Sequence, residues 1–413
     1  MAKEDIIVGI DVGSYHIRTV IAQLNVEQQG KPRIIGVGES LSSGIRKGVI
    51  VDVEEAVSSI SAALEKAERT GGVPVERAFV SVSGSHILAQ KSKGVVAVSR
   101  ADSEITEEDI GRAIEAASAV SVPPNHEILH VLPQNFTVDD QSGIKDPVGM
   151  NGIRLEVEAL IIEGSVSYLK NLTKCIHRVG VDLESFVVTP LAASMSVLSK
   201  RQRELGVALI DIGAGTTGLS VYEEGDVLHV AILPVGSEHI TNDLAIGLRT
   251  SVDIAEKIKI SYGTALASEI DKKEEINLSK LDKGEEAVVS RKRVAEIVEA
   301  RLSEIFSLVD KELKKIGRSG KLPGGVVLVG GGAKIAGIVD LAKEELRLPA
   351  QVGFPENLPG ISDKMDDPVY AVAQGLALWA IENKDSDSSF GSTMVNAQQM
   401  AGRVKKWFKN FLP

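Results

Sequence analysis

Two short segments of the sequence place an aspartate just before a glycine-containing turn. They are Asp211-Ile212-Gly213-Ala214-Gly215-Thr216-Thr217 and the shorter Asp11-Val12-Gly13-Ser14-Tyr15. Glycines let a backbone turn tightly and approach a phosphate, so that amide groups can donate to its oxygens. The hydroxyls of Thr216 and Thr217 would add two more donors. Mg²⁺ takes carboxylate, water and phosphate oxygens as ligands. The sequence therefore predicts that Asp11 and Asp211 hold a hydrated Mg²⁺ ion.

Either segment alone is about as typical of an ordinary hairpin turn as of a phosphate site, because motifs of this length often match by chance. The pair is a much stronger signal. A third glycine cluster, Gly330-Gly331-Gly332-Ala333, follows the apolar run Val326 to Val329. A surface free of side chains there would let a flat adenine ring pack on the backbone. The chain matches neither the dinucleotide fingerprint Gly-x-Gly-x-x-Gly with its later acidic residue nor the P-loop pattern, so these two site types are poor candidates.

The last residues of the chain could bind a membrane surface. On a helical wheel, one arc of about 140° holds the apolar side chains, and the basic side chains lie opposite. The apolar residues are Val404, Trp407, Phe408, Phe411 and Leu412, and the basic ones are Arg403, Lys405, Lys406 and Lys409. Nine helical residues span about 14 Å, too short for a bilayer core of about 30 Å, so this helix would lie in the interface with its lysines toward anionic headgroups. The alternative is a helix that docks on the protein's own core.

The elements that must position the two aspartates have the same form. Ile6 to Asp11 and Val207 to Asp211 are apolar runs, as expected of central strands covered on both faces. Each is followed by its turn and then by a second strand-like run, Ile17 to Ala22 and Gly218 to Tyr222. This internal repeat predicts two related halves, each opening with a hairpin.

Helical patterns separate the strands and make this an α/β chain. Apolar residues at three- and four-residue spacing predict helices at Val53 to Arg69, Ser165 to Val179, Val252 to Ser261 and Lys292 to Lys315. Residues 84–162 look like a small α+β insertion, with strands at Gly94 to Ser99, His126 to Leu132 and Gly152 to Ile162 around one helix at Glu107 to Ala119. Asn383 to Ser392 is almost devoid of apolar residues and is typical of a flexible linker.

We therefore expect the following organisation. The first half comprises residues 1–83 and 163–195, interrupted by the insertion 84–162. The second half has a larger part, 196–235 and 321–382, and a smaller part, 236–320. A linker, 383–396, leads to a terminal helix, 397–413.

Composition excludes several classes of protein. With 57 acidic and 46 basic side chains the net charge is −11, whereas a bulk nucleic-acid binder needs a basic surface. A single cysteine excludes a disulfide framework and a thiolate metal cluster and indicates a reducing compartment. No signal peptide and no run of 18 apolar residues is present, so we expect a cytosolic protein without a membrane span. The terminal 14 residues carry four basic groups and no acid, so the charge argues against an anionic membrane for the globular part only.

Two Asp-Gly hairpins and a late strand-Gly-Gly-Gly turn are the pattern of the actin, Hsp70 and sugar-kinase superfamily, which implies a duplicated ribonuclease H-like fold around a nucleotide cleft. Over nearly the whole chain the sequence resembles the FtsA family of bacterial cell-division proteins. His130-Val131-Leu132-Pro133-Gln134, the segment Gly143 to Met150, and Arg203-Glu204-Leu205-Gly206-Val207 resemble FtsA rather than MreB or Hsp70.

The resemblance implies ATP as the nucleotide and further residues around it. Glu256 and Lys259 share a helix face and would contact the ribose and adenine, although a solvated helix pair is the plainer interpretation of their spacing. Gly236 lies in the loop that approaches the terminal phosphate. Lys334 would flank the base or point to solvent. These residues join the site residues of the turns, which are Gly13, Ser14, Tyr15, Gly213, Gly215, Thr216, Thr217, Gly331, Gly332 and Ala333.

The resemblance also bears on hydrolysis. The more active relatives carry a Glu or Gln that orients the attacking water in the segment joining the two halves. This sequence has Thr189 there, and threonine cannot act as a carboxylate base. We expect ATP binding with at most weak hydrolysis.

The implied partners are the C-terminal peptide of FtsZ, further copies of the chain in a filament, anionic lipids at the inner face of the cell membrane at the septum, and later division proteins bound through residues 84–162. Arg301 and Glu304 match the FtsZ-binding helix, with Lys292 and Arg293 as candidate helpers; an exposed helix with internal ion pairs is the alternative. A sugar kinase of the same superfamily is the alternative function. It would need an aspartate base and would have no use for a detached amphipathic tail.

Overall fold

The computed structural model describes residues 5–24, 32–99, 102–119, 122–282, 287–361 and 365–384. The first two residues of the predicted linker 383–396, Asn383 and Lys384, are the last two of the helix that begins at Ala371. Residues 385–396 and the predicted terminal helix 397–413 lie outside the described residues. Strands β1 to β18 span, in order, Asp5–Val12, His16–Leu24, Pro32–Leu41, Ile45–Arg46, Val49–Ile50, Arg77–Val82, Leu88–Ala97, His126–Val138, Gln141–Ile144, Arg154–Ser165, Asp182–Val188, Val207–Ile212, Thr217–Glu223, Asp226–Leu233, Glu275–Asn277, Val288–Ser290, Val326–Val329 and Ala350–Val352. Helices α1 to α10 span Val53–Gly71, Glu107–Ser118, Val166–Arg178, Thr189–Val197, Lys200–Leu205, Ser237–Leu248, Val252–Tyr262, Arg291–Lys315, Ile338–Leu346 and Ala371–Lys384.

Two five-stranded sheets share one topology. The orders are β11-β6-β1-β2-β3 and β14-β13-β12-β17-β18. In each sheet the strand whose second-last residue is the aspartate lies in the centre, antiparallel to its hairpin partner on one side and parallel to a later strand on the other. The internal repeat predicted from the two Asp-Gly segments is thus confirmed as a duplicated sheet.

Burial explains why the central strands are apolar throughout. Ile10 in β1 and Ile210 in β12 have no exposed surface, because helices cover both faces of each sheet. The carboxyl end of a central strand is where its backbone stops pairing with the hairpin partner. Each half therefore offers an aspartate and a glycine turn at the same place in its sheet.

The insertion is a separate antiparallel sheet of order β7-β10-β8-β9 with α2 packed on it. Its strands differ from the predicted ones, since β7 begins at Leu88, β8 continues to Val138 and β10 reaches Ser165. The predicted strand His126 to Leu132 stops just short of Pro133, which lies within β8. Pro133 is accommodated at a β-bulge opposite Ala159, which is one of the few places where a strand tolerates a residue without an N–H group.

Helices α4 and α10 cross between the two halves. Gly375 of α10 packs so closely on α4 that a Cβ atom at this position would lie 1.8 Å from the carbonyl oxygen of Ala192. The carbonyl oxygen of Pro190, also in α4, accepts a hydrogen bond from Ser220 of β13 at 3.1 Å. This helix therefore leads the chain out of the first sheet and packs directly on the second.

The predicted helices agree with the structure to within two or three residues at each end. None of these ten helices combines the length and the hydropathy that crossing a bilayer would require.

Candidate functional site

The carboxylates of Asp11 and Asp211 are close enough to repel each other. Asp11 is only 8% exposed, and its Oδ1 accepts a hydrogen bond from Ser81 Oγ at 2.8 Å. Burial raises the pKa of Asp11, against the opposing effects of Arg18 and Ser81. Burial and the neighbouring Asp11 carboxylate raise the pKa of Asp211 to about 7. The two halves therefore bring together two carboxylates whose repulsion a divalent cation would relieve.

These two carboxylates alone would be a sparse set of ligands for a metal ion. Among the residues that the structure describes, no cluster of three or more His, Cys, Asp or Glu side chains could hold a metal ion. Mg²⁺ commonly takes one or two carboxylates and completes its shell with water and substrate phosphates. The donor set at Asp11 and Asp211 fits this kind of ion and would leave most of its coordination sphere to a ligand.

The two glycine turns meet across the halves. A Cβ atom at Gly215 would lie 2.9 Å from Ser14 Oγ of the first turn. Thr216 Oγ1 lies 3.1 Å from Ser83 Oγ, which belongs to the first half. At Gly13, a Cβ atom would lie 2.5 Å from the His16 carbonyl oxygen, so this turn requires glycine. The structure thus brings together residues that are 200 positions apart in the sequence, as the paired motifs predict.

Thr217 does not match the prediction of a phosphate donor. Its side chain has no exposed surface, and its hydroxyl donates to the carbonyl oxygen of Val235 at 2.8 Å. The physical reason is the pleat, since Thr217 begins β13 and alternate side chains of a strand point to opposite faces. Thr216, one residue earlier, faces the other half of the molecule instead.

Gly236 lies against the second turn. A Cβ atom there would lie 2.5 Å from the carbonyl oxygen of Gly213 and 2.4 Å from that of Ala214. The backbone N–H groups of Ser237 and Glu238 donate to the same two carbonyls, at 2.8 and 2.9 Å. The loop predicted to approach a terminal phosphate thus adjoins the second glycine turn, and glycine is what permits the contact.

Glu256 and Lys259 form a hydrogen-bonded cluster with Thr241. Lys259 Nζ lies 2.6 Å from Glu256 Oε2 and 2.9 Å from Thr241 Oγ1, and Thr241 donates to Glu256 at 2.5 Å. All three side chains are largely buried, so the interpretation as a solvated helix pair does not hold. Burial and the carboxylates of Glu256 and Asp253 raise the pKa of Tyr15. The carboxylates of the second half therefore act electrostatically on Tyr15 of the first turn.

The third glycine cluster is less open than predicted. Among the described residues, apart from its near neighbours along the chain, none has a heavy atom within 4 Å of the Cβ position of Gly331. A Cβ atom at Gly332, by contrast, would lie 2.3 Å from Ile212 Cγ2, and Ala333 is buried. The cluster forms a 3₁₀ turn that directs Gly332 and Ala333 toward the core, so the surface free of side chains is confined to Gly331. Lys334 does not simply point to solvent, because its Nζ lies 2.5 Å from Asp367 Oδ2.

The structure adds residues that the sequence analysis missed. Lys47 and Gly48 form the tip of the β4–β5 hairpin. Lys47 has a φ of +49°, and its backbone N and Cα atoms would lie 2.9 Å from a Cβ atom at Gly215. The N–H group of Gly48 donates to Ser14 Oγ at 3.0 Å. A two-residue turn with glycine between short apolar runs is a hairpin signal, but nothing in the sequence indicated that its tip would reach the glycine turns.

A groove of about 350 Å³ lies between α6 and α8. It is lined by Asp243, Ile246, Gly247, Arg293, Glu296, Ile297, Ala300, Arg301 and Glu304. Arg301 makes a bidentate pair with Asp243, at 2.6 and 2.9 Å, and also contacts Glu304. Lys292 is not part of this groove, because its Nζ donates to the carbonyl oxygen of Ala267 on another face of α8; its prediction as a helper in peptide binding does not match this geometry.

The candidate membrane residues Val404, Lys405, Lys406, Trp407, Phe408, Lys409, Phe411 and Leu412 lie outside the described residues.

Comparisons with known proteins agree with this architecture. A family model described as "Cell division protein FtsA" matches residues 208–375, and one described as "SHS2 domain inserted in FTSA" matches residues 84–163. The cell division protein FtsA of Borreliella burgdorferi is 39% identical over 409 residues, covering 98% of each chain. That of Pseudomonas aeruginosa is 35% identical over 408 residues, covering 97% of each.

Solved structures give the same fold at low identity. The PilM-PilN type IV pilus biogenesis complex contains a chain that is 16% identical with a TM-score of 0.67, covering 91% of this chain and 98% of that one. MreB5 of Spiroplasma citri, bound to ADP, is 15% identical with a TM-score of 0.53, covering 90% and 94%. The predicted class, an actin-like duplicated α/β fold with an α+β insertion, is confirmed.

Proposed function

Because the chain belongs to the FtsA family of cell-division proteins, we propose that it binds ATP with Mg²⁺, assembles into filaments with further copies of itself, and tethers FtsZ to the inner face of the cell membrane at the division septum. The C-terminal amphipathic segment is the membrane anchor in this proposal. The insertion, residues 84–162, receives later division proteins.

The observation that carries the nucleotide part is the meeting of the two Asp-Gly turns. Backbone amides of the two turns would hold the phosphates, and Asp11 and Asp211 would hold Mg²⁺ through water. Glu256, Lys259 and Tyr15 lie around the same cleft, where they would contact the nucleoside. The ADP bound to MreB5, a protein of the same fold, supports a nucleotide in this type of cleft.

Weak hydrolysis fits the position of Thr189. This residue is the first of α4 and is 8% exposed. A buried threonine supplies neither a carboxylate nor an amide to orient a water molecule. The nucleotide then acts mainly as a ligand that stabilises one arrangement of the two halves.

The groove between α6 and α8 is the proposed site for the C-terminal peptide of FtsZ. Ile246 is 78% exposed at its edge, an apolar side chain that a bound peptide would cover. Arg301 is engaged by Asp243 and Glu304, so it fixes α6 against α8. Arg293 has one long contact, 3.4 Å to Glu296, and is more exposed. We assign to Arg293 the first contact with a peptide carboxylate, which favours an Arg partner.

Vesicle recruitment tests the membrane-binding and peptide-binding parts of the proposal. The full chain with ATP and Mg²⁺ should bring a fluorescent FtsZ C-terminal peptide to anionic vesicles in co-sedimentation. Ile246→Glu should remove the peptide and leave the protein on the vesicles, and Trp407→Glu should remove both. Ile260→Glu is the matched control, because Ile260 is also exposed, at 71%, on the neighbouring helix α7 but does not line the groove.

The results separate the two binding functions. If Ile246→Glu and Ile260→Glu recruit equal amounts of peptide, the groove is not the peptide site. If Trp407→Glu sediments as well as the unchanged protein, the C-terminal segment is not the anchor.

A further inference from the structure

Two segments that mark this sequence as FtsA-like, His130 to Gln134 and Gly143 to Met150, meet the second half of the molecule. Lys145 Nζ lies 2.5 Å from Asp226 Oδ2 and 3.6 Å from Glu224 Oε2. Gln134 Nε2 donates to the carbonyl oxygen of Val227 at 2.5 Å. We call these contacts between the inserted sheet and β14 the seam. They join an element inserted in the first half to an edge strand of the second.

The seam has an apolar layer beneath its polar contacts. Val227 and Ile232 of β14 belong to the same buried cluster as Leu132 and Leu160 of the inserted sheet. Gln134 is only 3% exposed, so its hydrogen bond is protected from water. Such a buried contact is costly to break without a replacement.

A β-bulge directs Gln134 into the seam. In the pairing of β8 with β10, Asn135 pairs with Glu158 and Pro133 with Ala159, which leaves Gln134 as the extra residue. Bulges re-aim the side chain of the unpaired residue. The Pro-Gln sequence thus produces both the bulge and the contact with the other half.

Strand β8 also contacts the residue that precedes α4, the helix that joins the two halves. His130 Nε2 accepts a hydrogen bond from the N–H group of Val188 at 3.3 Å, and its ring packs edge-on against Trp379 of α10, with centroids 5.3 Å apart. Val188 directly precedes α4. Burial lowers the pKa of His130 to about 4, so the ring is neutral near pH 7 and its nitrogen remains an acceptor. Strand β8 therefore contacts the beginning of α4 through His130 and the second half through Gln134.

In the structure that has the seam contacts, the two halves also touch beside the glycine turns, through the hydroxyls of Ser83 and Thr216. We call this arrangement the closed cleft. Any rotation of one half against the other must shear the seam, because the insertion moves with the first half and β14 with the second. A packed interface of this kind has discrete arrangements and does not deform continuously.

We propose that the seam is a latch through which the inserted sheet and the nucleotide cleft bias each other. Intact seam contacts stabilise the closed cleft and slow the release of nucleotide. By reciprocity, a protein that binds the inserted sheet and displaces it from β14 lowers the affinity for nucleotide, and nucleotide holds the insertion in its docked orientation. The proposal rests on the proposed nucleotide function and adds its regulation.

Charge reversal in the full chain tests the latch. Lys145→Glu places a third acid beside Asp226 and Glu224, and should accelerate release of a fluorescent ATP analogue in stopped flow by roughly fivefold, the lower end of allosteric couplings. Asp226→Lys combined with Lys145→Glu restores an opposite pair and should slow release again. The control is Lys93→Glu, which breaks a 3.0 Å pair with Glu156 inside the inserted sheet and should leave release unchanged. Lys145→Ala is the milder variant should the reversal not fold.

Hydrogen exchange without nucleotide gives an independent readout. Lys145→Glu should raise the exchange of amides in residues 213–217 and 188–197, whereas Lys93→Glu should not. Equal release and equal exchange in folded Lys145→Glu and Lys93→Glu would overturn the latch. If the unchanged protein binds no nucleotide, the proposed function fails, while the exchange comparison still decides on the latch.

Discussion

The ionised carboxylate of Asp211 lowers the free energy of unfolding, and a bound cation would relieve this effect. Its carboxylate is partly buried next to Asp11, and its pKa is raised to about 7. The folded state therefore holds a proton at this position up to about pH 7, whereas an unfolded aspartate loses it near pH 4. The contribution of Asp211 to the free energy of unfolding thus falls as the pH rises from about 4 to 7.

Asp211→Asn should stabilise the nucleotide-free protein and weaken its function. At pH 8 we expect a higher free energy of unfolding, with an upper bound of about 4 kcal/mol from the roughly 1.4 kcal/mol per pKa unit; partial exposure of the side chain reduces it. The gain should shrink as the pH falls through 7 and disappear near 4. Urea unfolding at pH 8 and pH 5 measures it, with the exposed Asp340→Asn as control.

The same variant should lose Mg²⁺-dependent ATP binding by calorimetry, because it removes one of two proposed ion holders. A stability gain that does not change with pH would contradict the raised pKa, and unchanged ATP affinity would contradict the metal assignment.

Individual residues also show which parts of the candidate site could be predicted from the sequence. Asp11, Asp211 and Gly215 were identifiable because their motif occurs twice. Thr217 was misassigned because motif matching ignores strand alternation. Thr241 and Ser83 were invisible, since each reaches the site from a different element and no spacing rule links them to the turns.

Among the elements, α4 and α10 set how the halves join. At Gly375 a Cβ atom would lie 1.8 Å from the Ala192 carbonyl oxygen and 2.5 Å from its carbon. Both are backbone atoms, so the helices themselves must separate to make room.

Gly375→Ala should therefore destabilise the protein. Alanine in a helix interior gains about 1 kcal/mol over glycine, but overpacking typically costs about 1–3 kcal/mol. Because the clash is with backbone atoms, we expect the upper end of that cost and a net loss of up to about 2 kcal/mol in urea unfolding. Gly331→Ala is the matched control, since its Cβ position is open, and should stay within about 0.5 kcal/mol of the unchanged protein. A Gly375→Ala protein as stable as the control would show that the helices part without cost.

Element predictions succeeded where a long pattern repeats. The stripe of α8 recurs over 25 residues and defines the helix nearly to its ends. The strands of the insertion were placed less accurately because their limits depend on partners. Pro133 is compatible with β8 only because a bulge in the pairing with β10 receives it, and that pairing involves residues about 25 positions away.

At the scale of the whole molecule, the charge is divided unevenly along the chain. Residues 385–413 contain two aspartates and four basic groups, so removing them changes the net charge from −11 to −13. The net charge of residues 1–384 disfavours contact with anionic lipid, whereas that of residues 385–413 would favour it in the proposed membrane contact. In the proposed contact, about 1 kcal/mol per cation near an acidic leaflet and the transfer of five apolar side chains into the lipid interface would oppose that repulsion.

A chain ending at Lys384 should keep its fold and lose its binding to anionic membranes. The four hydrophobic clusters of the described residues and the meeting of the glycine turns all lie before residue 385, so thermal unfolding and ATP affinity should match those of the full chain. Co-sedimentation with anionic vesicles should disappear, and for the full chain it should fall as salt rises, because exposed charges are screened beyond about 10 Å at 0.1 M. A full chain with Lys405, Lys406 and Lys409 changed to Gln separates the contributions, since it keeps only Arg403 of the four cations and should lose most of the salt dependence while retaining weak apolar binding. Sedimentation of the shortened chain at the full-chain level would place the membrane contact in the globular part, against its net charge.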